Sequence, residues 1–434
     1  MHTYLKCLLV FLLLFSNTAL NKENNPIQLS QQEVKNVIQI VVKLLNKYYV
    51  SANTAKTITQ VLLGNQKSGQ YNKISSPYEF AHRLTLDIRS INNDQHLNIN
   101  YRPQKSKSSV SNVFENKLLD KKGLWTNYGY QEIKHLDGNI GYVKISHFSN
   151  WGNFTNAKES IDSLFNMLRN SKALILDVRD NSGGYEDIVA YFISYLIAGE
   201  SIKLSDYYVR FDDSKKSIWT TEKPTNTKLP NIPVYVLTNG NTASAGESLA
   251  YILKHLKRSE VVGEVTAGAG HGAMTYKIND KFSITISSEE TINAVTKTSF
   301  EGVGVIPTFA IESEKAFQKA YDLALHQLKK SDSIHSENYD QLINLNKIIS
   351  SSTIDLKPYV GKYKSDSIEI HVKLKSSQLY ATMIGKGTFK LLPTDNHIFV
   401  VDPIKERIQF VWNKKNKVIK LIGLETPMEL NKYE

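Results

Sequence analysis

The chain has 434 residues, and its 53 basic against 42 acidic residues give a net charge of +11. Hydrophobic residues make up 41% of it, so the composition is that of a folded protein with room for two or three domains. The lysines are scattered and no nucleic-acid-binding motif accompanies them, so we expect no nucleic-acid partner. H-E-x-x-H, Walker A and dinucleotide fingerprints are absent from the sequence, so we expect neither a metal nor a cofactor.

The N-terminus contains an apolar run from Cys7 to Phe15, preceded by Lys6 and followed by small and polar residues near Ala19. This pattern predicts a signal peptide over residues 1–19 and a periplasmic, cell-envelope or extracellular protein. An uncleaved anchor is the alternative. Cys7 is the only cysteine, so the mature chain would contain no disulfide.

Residues 28–100 predict a small helical domain. Ser30 and Glu33 have capping-box spacing before a helical period, and Ser76 with Pro77 marks another helix start. From Gly138 onward, apolar segments such as "KALILDV" and "IPVYVLT" alternate with helical patterns. That alternation predicts a largely parallel, covered sheet within a core spanning 101–328.

The C-terminal part is predicted to be a separate small domain. Residues 329–356 are polar and indicate a linker, with room for one helical portion. Residues 357–434 contain short alternating runs separated by turn residues, which is typical of an antiparallel β domain. The predicted fold class is therefore a multidomain α/β (α+β) protein.

Ser244 lies in "VYVLTNGNTASAGESLAYILKHL", between a strand pattern and a helix pattern. Serine is a favoured helix N-cap, so a purely structural role is one interpretation. A serine at the end of such a strand could also be a nucleophile, because the amides at the following helix start can stabilise an oxyanion. The segment is not a G-x-S-x-G elbow, so the two interpretations stay open locally.

The segment "LILDVRDNSGGYED" places Gly183 and Gly184 after a buried strand. Paired glycines allow backbone N–H groups to point at a ligand, and an oxyanion hole is one use of them. The alternative is a tight turn in which Asp177 and Arg179 form a structural ion pair.

Four segments in order, "LILDVRDNSGG", "VYVLTNGNTASAGE", "VVGEVTAGAG" and "FEGVGVIP", resemble the C-terminal processing peptidase family of serine proteases. The family includes tail-specific proteases, the tricorn protease core and the retinoid-binding-protein repeats of photoreceptors. The resemblance implies a spiral αββ-type core with Ser244 as nucleophile. It also implies an oxyanion hole built from the amides of Ala245 and of Gly183 or Gly184.

The resemblance leaves the general base to be chosen within the family. Tail-specific members use a lysine 25 residues after the serine, but this chain has Ala269 at that position. The tricorn-like branch uses a histidine in a D-x-H turn, which matches Asp94 and His96 in "NNDQHLNI". His96 is therefore the predicted base, with His271 as a competing candidate.

Two further residues complete the tricorn-like arrangement. Glu301 in "SFEGVGVIP" resembles the glutamate that orients the imidazole. A second orienting serine would stand where this chain has Gln95, which could hydrogen-bond in its place.

Two functions remain open from the sequence. The first is an exported serine endopeptidase that hydrolyses peptides or unfolded polypeptides through an acyl-enzyme. The second is a noncatalytic protein that binds an apolar ligand on the same scaffold. The 37 residues from Tyr101 to Asp137, counting both ends, are too few for the PDZ domain that tail-specific relatives carry. Retention of Ser244, His96 and Glu301 together favours the enzyme.

Overall fold

The computed structural model describes residues 28–102, 122–149, 153–221, 228–351, 355–375, 378–394 and 397–434. The predicted signal peptide and residues 103–121 lie outside these ranges. No helix within the described ranges combines the length and hydropathy of a membrane span. The chain divides into two compact units. The first takes the described residues up to 102 together with 207–216 and 271–291, and the second takes the remainder.

The first unit contains the three N-terminal helices α1 (Gln31–Tyr48), α2 (Ala52–Lys67) and α3 (Pro77–Arg89). The predicted capping box starts α1, with Glu33 N donating to Ser30 Oγ and the Glu33 carboxylate accepting from Ser30 N. The apolar face of α1 is buried because its hydrophobic residues recur at helical spacing. These residues are Val34, Val37, Ile38, Val41 and Leu45.

Strands numbered in chain order complete the first unit. Strand β10 (Phe282–Asn293) pairs antiparallel with both β1 (Asn98–Tyr101) and β9 (Gly272–Lys277). Strands β5 (Lys203–Val209) and β6 (Ser214–Trp219) follow in the sheet order β1-β10-β5-β6, and residues 207–216 are the part of them that belongs to the first unit. The helical domain expected over 28–100 thus includes two later segments, because strand pairing brings together residues distant in sequence, which local periodicity does not reveal.

The second unit is built on a six-stranded sheet in the order β11-β8-β7-β4-β3-β2. All neighbouring strands are parallel except the edge pair β2–β3. Every residue of β4 and β7 is buried, as expected for central strands of a covered parallel sheet. The strand bounds are β2 Tyr130–Leu136, β3 Ile140–Ile145, β4 Ala173–Asp177, β7 Val234–Thr238, β8 Glu260–Gly263 and β11 Phe309–Ala310.

Five helices accompany this sheet. They are α4 (Phe154–Leu168), α5 (Glu186–Ile193), α6 (Ala245–His255), α7 (Ser313–Ser331) and α8 (Ser336–Ser351). Helix α8 lies in the segment expected to be a linker, and it packs Tyr339, Leu342 and Ile343 into the hydrophobic cluster that α7 shares with the sheet. The sequence left room for one helical portion in this segment, but its many polar residues gave no indication that the helix packs against the sheet.

The C-terminal domain is a closed antiparallel barrel of eight strands in sequential order. Closure removes exposed strand edges, and the interior is filled by a cluster that includes Tyr359, Tyr363, Phe399 and Phe410. The predicted fold class, a mixed α/β protein with N-terminal helices and a C-terminal antiparallel β domain, is confirmed. The strands are β12 Gly361–Lys364, β13 Glu369–Lys375, β14 Gln378–Met383, β15 Gly387–Pro393, β16 Ile398–Asp402, β17 Glu406–Trp412, β18 Val418–Gly423 and β19 Glu429–Lys432.

Candidate active site

Ser244 is the N-cap residue of α6 and lies six residues beyond the end of the buried strand β7. Its backbone has φ 52° and ψ −120°, whereas an ordinary N-cap such as Ser30 is extended. Positive φ in a non-glycine residue is unfavourable and persists only where the surroundings fix it. The serine is half-buried, so the turn exposes part of a residue in a strained backbone conformation.

Buried polar contacts fix the turn that carries Ser244. Thr242 Oγ1 donates to the carbonyl of Val178 over 2.8 Å and accepts from Asn239 N at 3.1 Å. Ala243 N donates to the carbonyl of Asn181 over 2.9 Å. The segment before the serine is therefore bonded to the turn that follows β4, as expected for neighbouring parallel strands whose carboxyl ends meet at one edge.

Gly183 lies directly against Ser244. A Cβ built on Gly183 would approach Ser244 Cβ to 2.8 Å, and the residue has φ 93°. A Cβ on Gly184 would lie 1.8 Å from the carbonyl oxygen of Phe148, and that residue has φ 142°. Both positions therefore require glycine, for steric as well as conformational reasons.

The two glycine amides differ in their partners. Gly183 N donates to Asn181 Oδ1 over 2.8 Å, and the same buried side chain donates through Nδ2 to the carbonyl of Ile145. The amides of Gly184 and Ala245 donate no hydrogen bond to any of the described residues. Buried backbone N–H groups are rarely left without a partner, and the amide of the buried Ala245 is an exception to this rule among the described residues.

Glu247, which the sequence analysis did not single out, lies wholly buried in the first turn of α6. Its carboxylate accepts from Ser244 N, Gly268 N and Ala269 N and from the Thr266 hydroxyl. Burial raises the pKa of Glu247 above its ordinary value, although these four hydrogen bonds act in the opposite direction. The S-x-x-E spacing of a capping box was the sequence signal that could have identified it.

Ala269, where tail-specific proteases have lysine, is part of this buried loop. Its side chain is 3% exposed, and its amide is bonded to Glu247. Glu301 lies nearby in the same unit, half-buried, where its carboxylate accepts from Gly270 N over 2.6 Å. Glu301 therefore holds the residue that follows Ala269.

The first unit contains the other predicted site residues, which gather around Asp94. This carboxylate is 1% exposed and accepts from His96 N at 3.0 Å and from Ser287 Oγ and Tyr49 Oη, each at 2.9 Å. His271 Nδ1 lies 3.8 Å from Asp94 Oδ2. Burial alone would raise the pKa of Asp94, but the neighbouring His271 imidazole and the hydrogen bonds from Ser287 and Tyr49 lower it to about 2.

His96 is half-buried next to this carboxylate. Burial lowers its pKa, the Asp94 charge opposes that effect, and the charges of His271 and Arg89 add to it. Its Nδ1 is buried and has no hydrogen-bond partner among the described residues. An imidazole with a lowered pKa is neutral at pH 7 and is able to accept a proton.

Gln95, the predicted substitute for the orienting serine, is exposed. The Gln95 side chain donates through Nε2 to the carbonyl of Asn93 over 2.9 Å. The backbone carbonyl of Gln95 accepts from Arg89 at 2.6 Å. The side chain is thus engaged within its own turn, and an orienting role for it stays a prediction.

Asp94 and His271 are of the residue types that ligate metal ions, and the pair by itself offers two ligand atoms.

Comparison with family profiles gives two matches. The profile of peptidase family S41 matches residues 139–311, which include Ser244, both glycines and Glu301. The profile described as the N-terminal domain of peptidase S41 in eukaryotic IRBP matches residues 16–122, which include Asp94 and His96. The two matches together cover the helices of the first unit and the sheet of the second except its edge strand β2.

Individual relatives are similar over part of the chain. Carboxyl-terminal-processing peptidase 2 of Arabidopsis thaliana, a chloroplast protein, is 31% identical over 42% of this chain and 33% of its own length. The carboxy-terminal processing protease CtpA of Bacillus subtilis is 32% identical over 32% of this chain and 28% of its own. The chain therefore matches only about a third of the length of either relative. A solved lipoprotein from Streptococcus agalactiae aligns over 68% of this chain and 96% of its own, with 17% identity and a TM-score of 0.46.

Proposed function

Because the chain belongs to peptidase family S41, we propose that it is a serine peptidase that hydrolyses peptides or unfolded polypeptides through an acyl-enzyme. The observation that carries this proposal is the conformation of Ser244. A serine with φ 52° stands against Gly183, next to the Ala245 amide, for which the described residues provide no acceptor. A helix cap alone requires neither the left-handed backbone nor the paired glycines.

The proposed reaction begins when Ser244 Oγ attacks a peptide carbonyl carbon while a histidine removes the hydroxyl proton. The resulting oxyanion accepts hydrogen bonds from the amides of Ala245 and Gly184. Gly184 is preferred over Gly183 because the Gly183 amide already donates to Asn181 Oδ1. The tetrahedral intermediate then breaks the C–N bond, and the imidazolium protonates the leaving amine. Water attacks the ester by the same route and releases Ser244.

His96 is our proposed general base. Its lowered pKa favours the neutral imidazole, which can accept the Ser244 proton at neutral pH. The hydrogen bond from His96 N to the buried Asp94 holds the turn that carries the ring. His271 remains the competing candidate because it approaches the same carboxylate. Glu301 is proposed to orient the imidazole, with Gln95 in a secondary role.

Export is also part of the proposal, since the apolar run from Cys7 to Phe15 has the form of a signal peptide. A protease outside the cytoplasm that lacks cysteine in its mature chain would not depend on disulfides for stability. Binding of an apolar ligand without catalysis is the outcome that would replace the peptidase, and the next experiment separates the two.

The test is hydrolysis of an unfolded polypeptide, reduced and alkylated casein, by the purified protein and by Ser244→Ala. We expect Ser244→Ala to abolish cleavage while the thermal unfolding temperature changes little. Ser248→Ala is the control, since it removes a hydroxyl from the same helix one turn further on and should leave cleavage intact. Equal cleavage by wild type and Ser244→Ala would disprove the nucleophile assignment.

A further inference from the structure

The carboxylate of Glu247 joins three segments of the second unit. Its Oε2 accepts from Ser244 N and Ala269 N, both at 2.8 Å. Its Oε1 accepts from Gly268 N at 2.7 Å and from Thr266 Oγ1 at 2.5 Å. Thr266 Oγ1 in turn accepts from Val305 N at 2.6 Å, which extends the network to the loop after Glu301.

An ordinary capping box in the same chain shows how unusual this arrangement is. Glu33 at the start of α1 accepts from Ser30 N at 2.9 Å and lies at the surface beside Lys281. Glu247 has the same position in its helix, yet it is fully buried and also binds a loop about twenty residues further along the chain. Its role therefore extends beyond capping α6.

The contacts use both oxygens of the Glu247 side chain as acceptors. Three of the partners are backbone N–H groups, which can only donate, and the Thr266 hydroxyl already accepts from Val305 N. Each carboxylate oxygen of Glu247 therefore accepts two hydrogen bonds. An amide at this position would turn an NH₂ group towards donors and would lose contacts on one side.

We propose that Glu247 is a positioning residue, which holds Ser244 in its left-handed conformation and fixes residues 266–269 against the start of α6. This inference rests on the proposed function, because Ser244 is taken to be the nucleophile. Strained backbone persists only where the surroundings over-determine it, and Glu247 bonds the amide of the strained residue itself. The hydroxyl of Ser244 and the amide of Ala245 thereby keep a fixed orientation towards the bond to be cleaved.

The hydrogen bonds themselves can be tested without any enzymatic activity. Amide hydrogen exchange would be followed at Ser244, Gly268 and Ala269 in wild type, Glu247→Gln and Glu33→Gln. We expect exchange at these amides to become at least tenfold faster in Glu247→Gln. Glu33→Gln should affect only the start of α1. Unchanged protection at all three amides in Glu247→Gln would overturn the inference.

The consequence for Ser244 is measured in the same variants. We expect Glu247→Gln to lower kcat, and the rate at which a fluorophosphonate labels Ser244, by about a hundredfold with KM within about threefold. A raised KM with unchanged kcat would contradict positioning and indicate a binding role instead.

If Glu247→Gln does not fold, a milder variant can be measured instead. Thr266→Val removes one donor and the link to Val305 while it leaves the carboxylate in place. We expect its kcat to fall about tenfold, and an unchanged kcat would count against the network. If wild type neither cleaves nor labels while the exchange rates respond as expected, the proposed function fails and the structural role of Glu247 stands.

Discussion

Ser244 illustrates how much a single residue reveals before its surroundings are known. From the local sequence, both a cap and a nucleophile are compatible with its position between strand and helix, and the cap is the favoured interpretation. The structure has the serine at the N-cap, but with φ 52° and with Gly183 in contact. Neither the dihedral angle nor the contact can be read from local propensity, because both depend on a turn about sixty residues earlier in the chain.

The choice between His96 and His271 is a prediction at the same scale. We expect His96→Ala to lower kcat/KM by roughly two to four orders of magnitude, as removal of a triad base does. His271→Ala is the matched control, because it removes the other imidazole near Asp94 and should have a smaller effect. If His271→Ala causes the larger loss, the assignment of the base is wrong.

The pH dependence of wild-type activity is a second test of His96 as the general base. The reaction requires neutral His96, and burial lowers the pKa of this group below its ordinary value of 6.5. Activity should therefore persist below pH 6.5 and decline as the pH falls through the lowered pKa. A decline that begins above pH 6.5 in kcat/KM would be inconsistent with His96 in this environment.

At the scale of elements, the two turns after β4 and β7 form one bonded unit. The motifs predicted which residues occupy these turns, and both glycines have the positive φ that only glycine adopts without strain. The role of Asn181 was not predicted, although the residue lies within the segment "LILDVRDNSGG". Its side chain bonds Gly183 N and the carbonyl of Ile145, and such pairing across the sheet has no local sequence signature.

Asn181→Ala tests whether this bonded pair of turns matters. The substitution leaves two buried backbone groups without their partner, so we expect a loss of about 1–3 kcal/mol in the free energy of unfolding. Activity should also fall at least tenfold, because Gly183 contacts Ser244 directly. Asn241→Ala is the control, since that exposed side chain bonds only Asp180 at the surface. Chemical denaturation and casein cleavage would be measured on both variants, and equal effects would argue against a special role for Asn181.

At the scale of the whole molecule, composition and periodicity predicted the kinds of elements better than their grouping. The helices of the first unit, the covered parallel sheet and the C-terminal β domain all follow from patterns within a few residues. The inclusion of residues 271–291 in the first unit does not, because β1 and β10 pair across nearly two hundred residues. Helix α8 was expected only as a helical portion of a linker, and its packing was not predicted because its apolar residues are few and lie among polar ones.

The grouping has a functional consequence for the proposed peptidase. His96 and Asp94 belong to the first unit, whereas Ser244, Ala245 and Glu301 belong to the second. We therefore expect no activity from a chain truncated before residue 110, which lacks Asp94 and His96, and activity assays need the full protein.

The most direct test of the central claim is covalent labelling of the purified protein with a fluorophosphonate, with the modified residue located by mass spectrometry. We predict that Ser244 is labelled, that Ser244→Ala is not, and that labelling of His96→Ala is slowed by about two to four orders of magnitude. Absence of labelling in wild-type protein shown to be folded would contradict the proposal of an activated serine and would favour a noncatalytic protein that binds an apolar ligand.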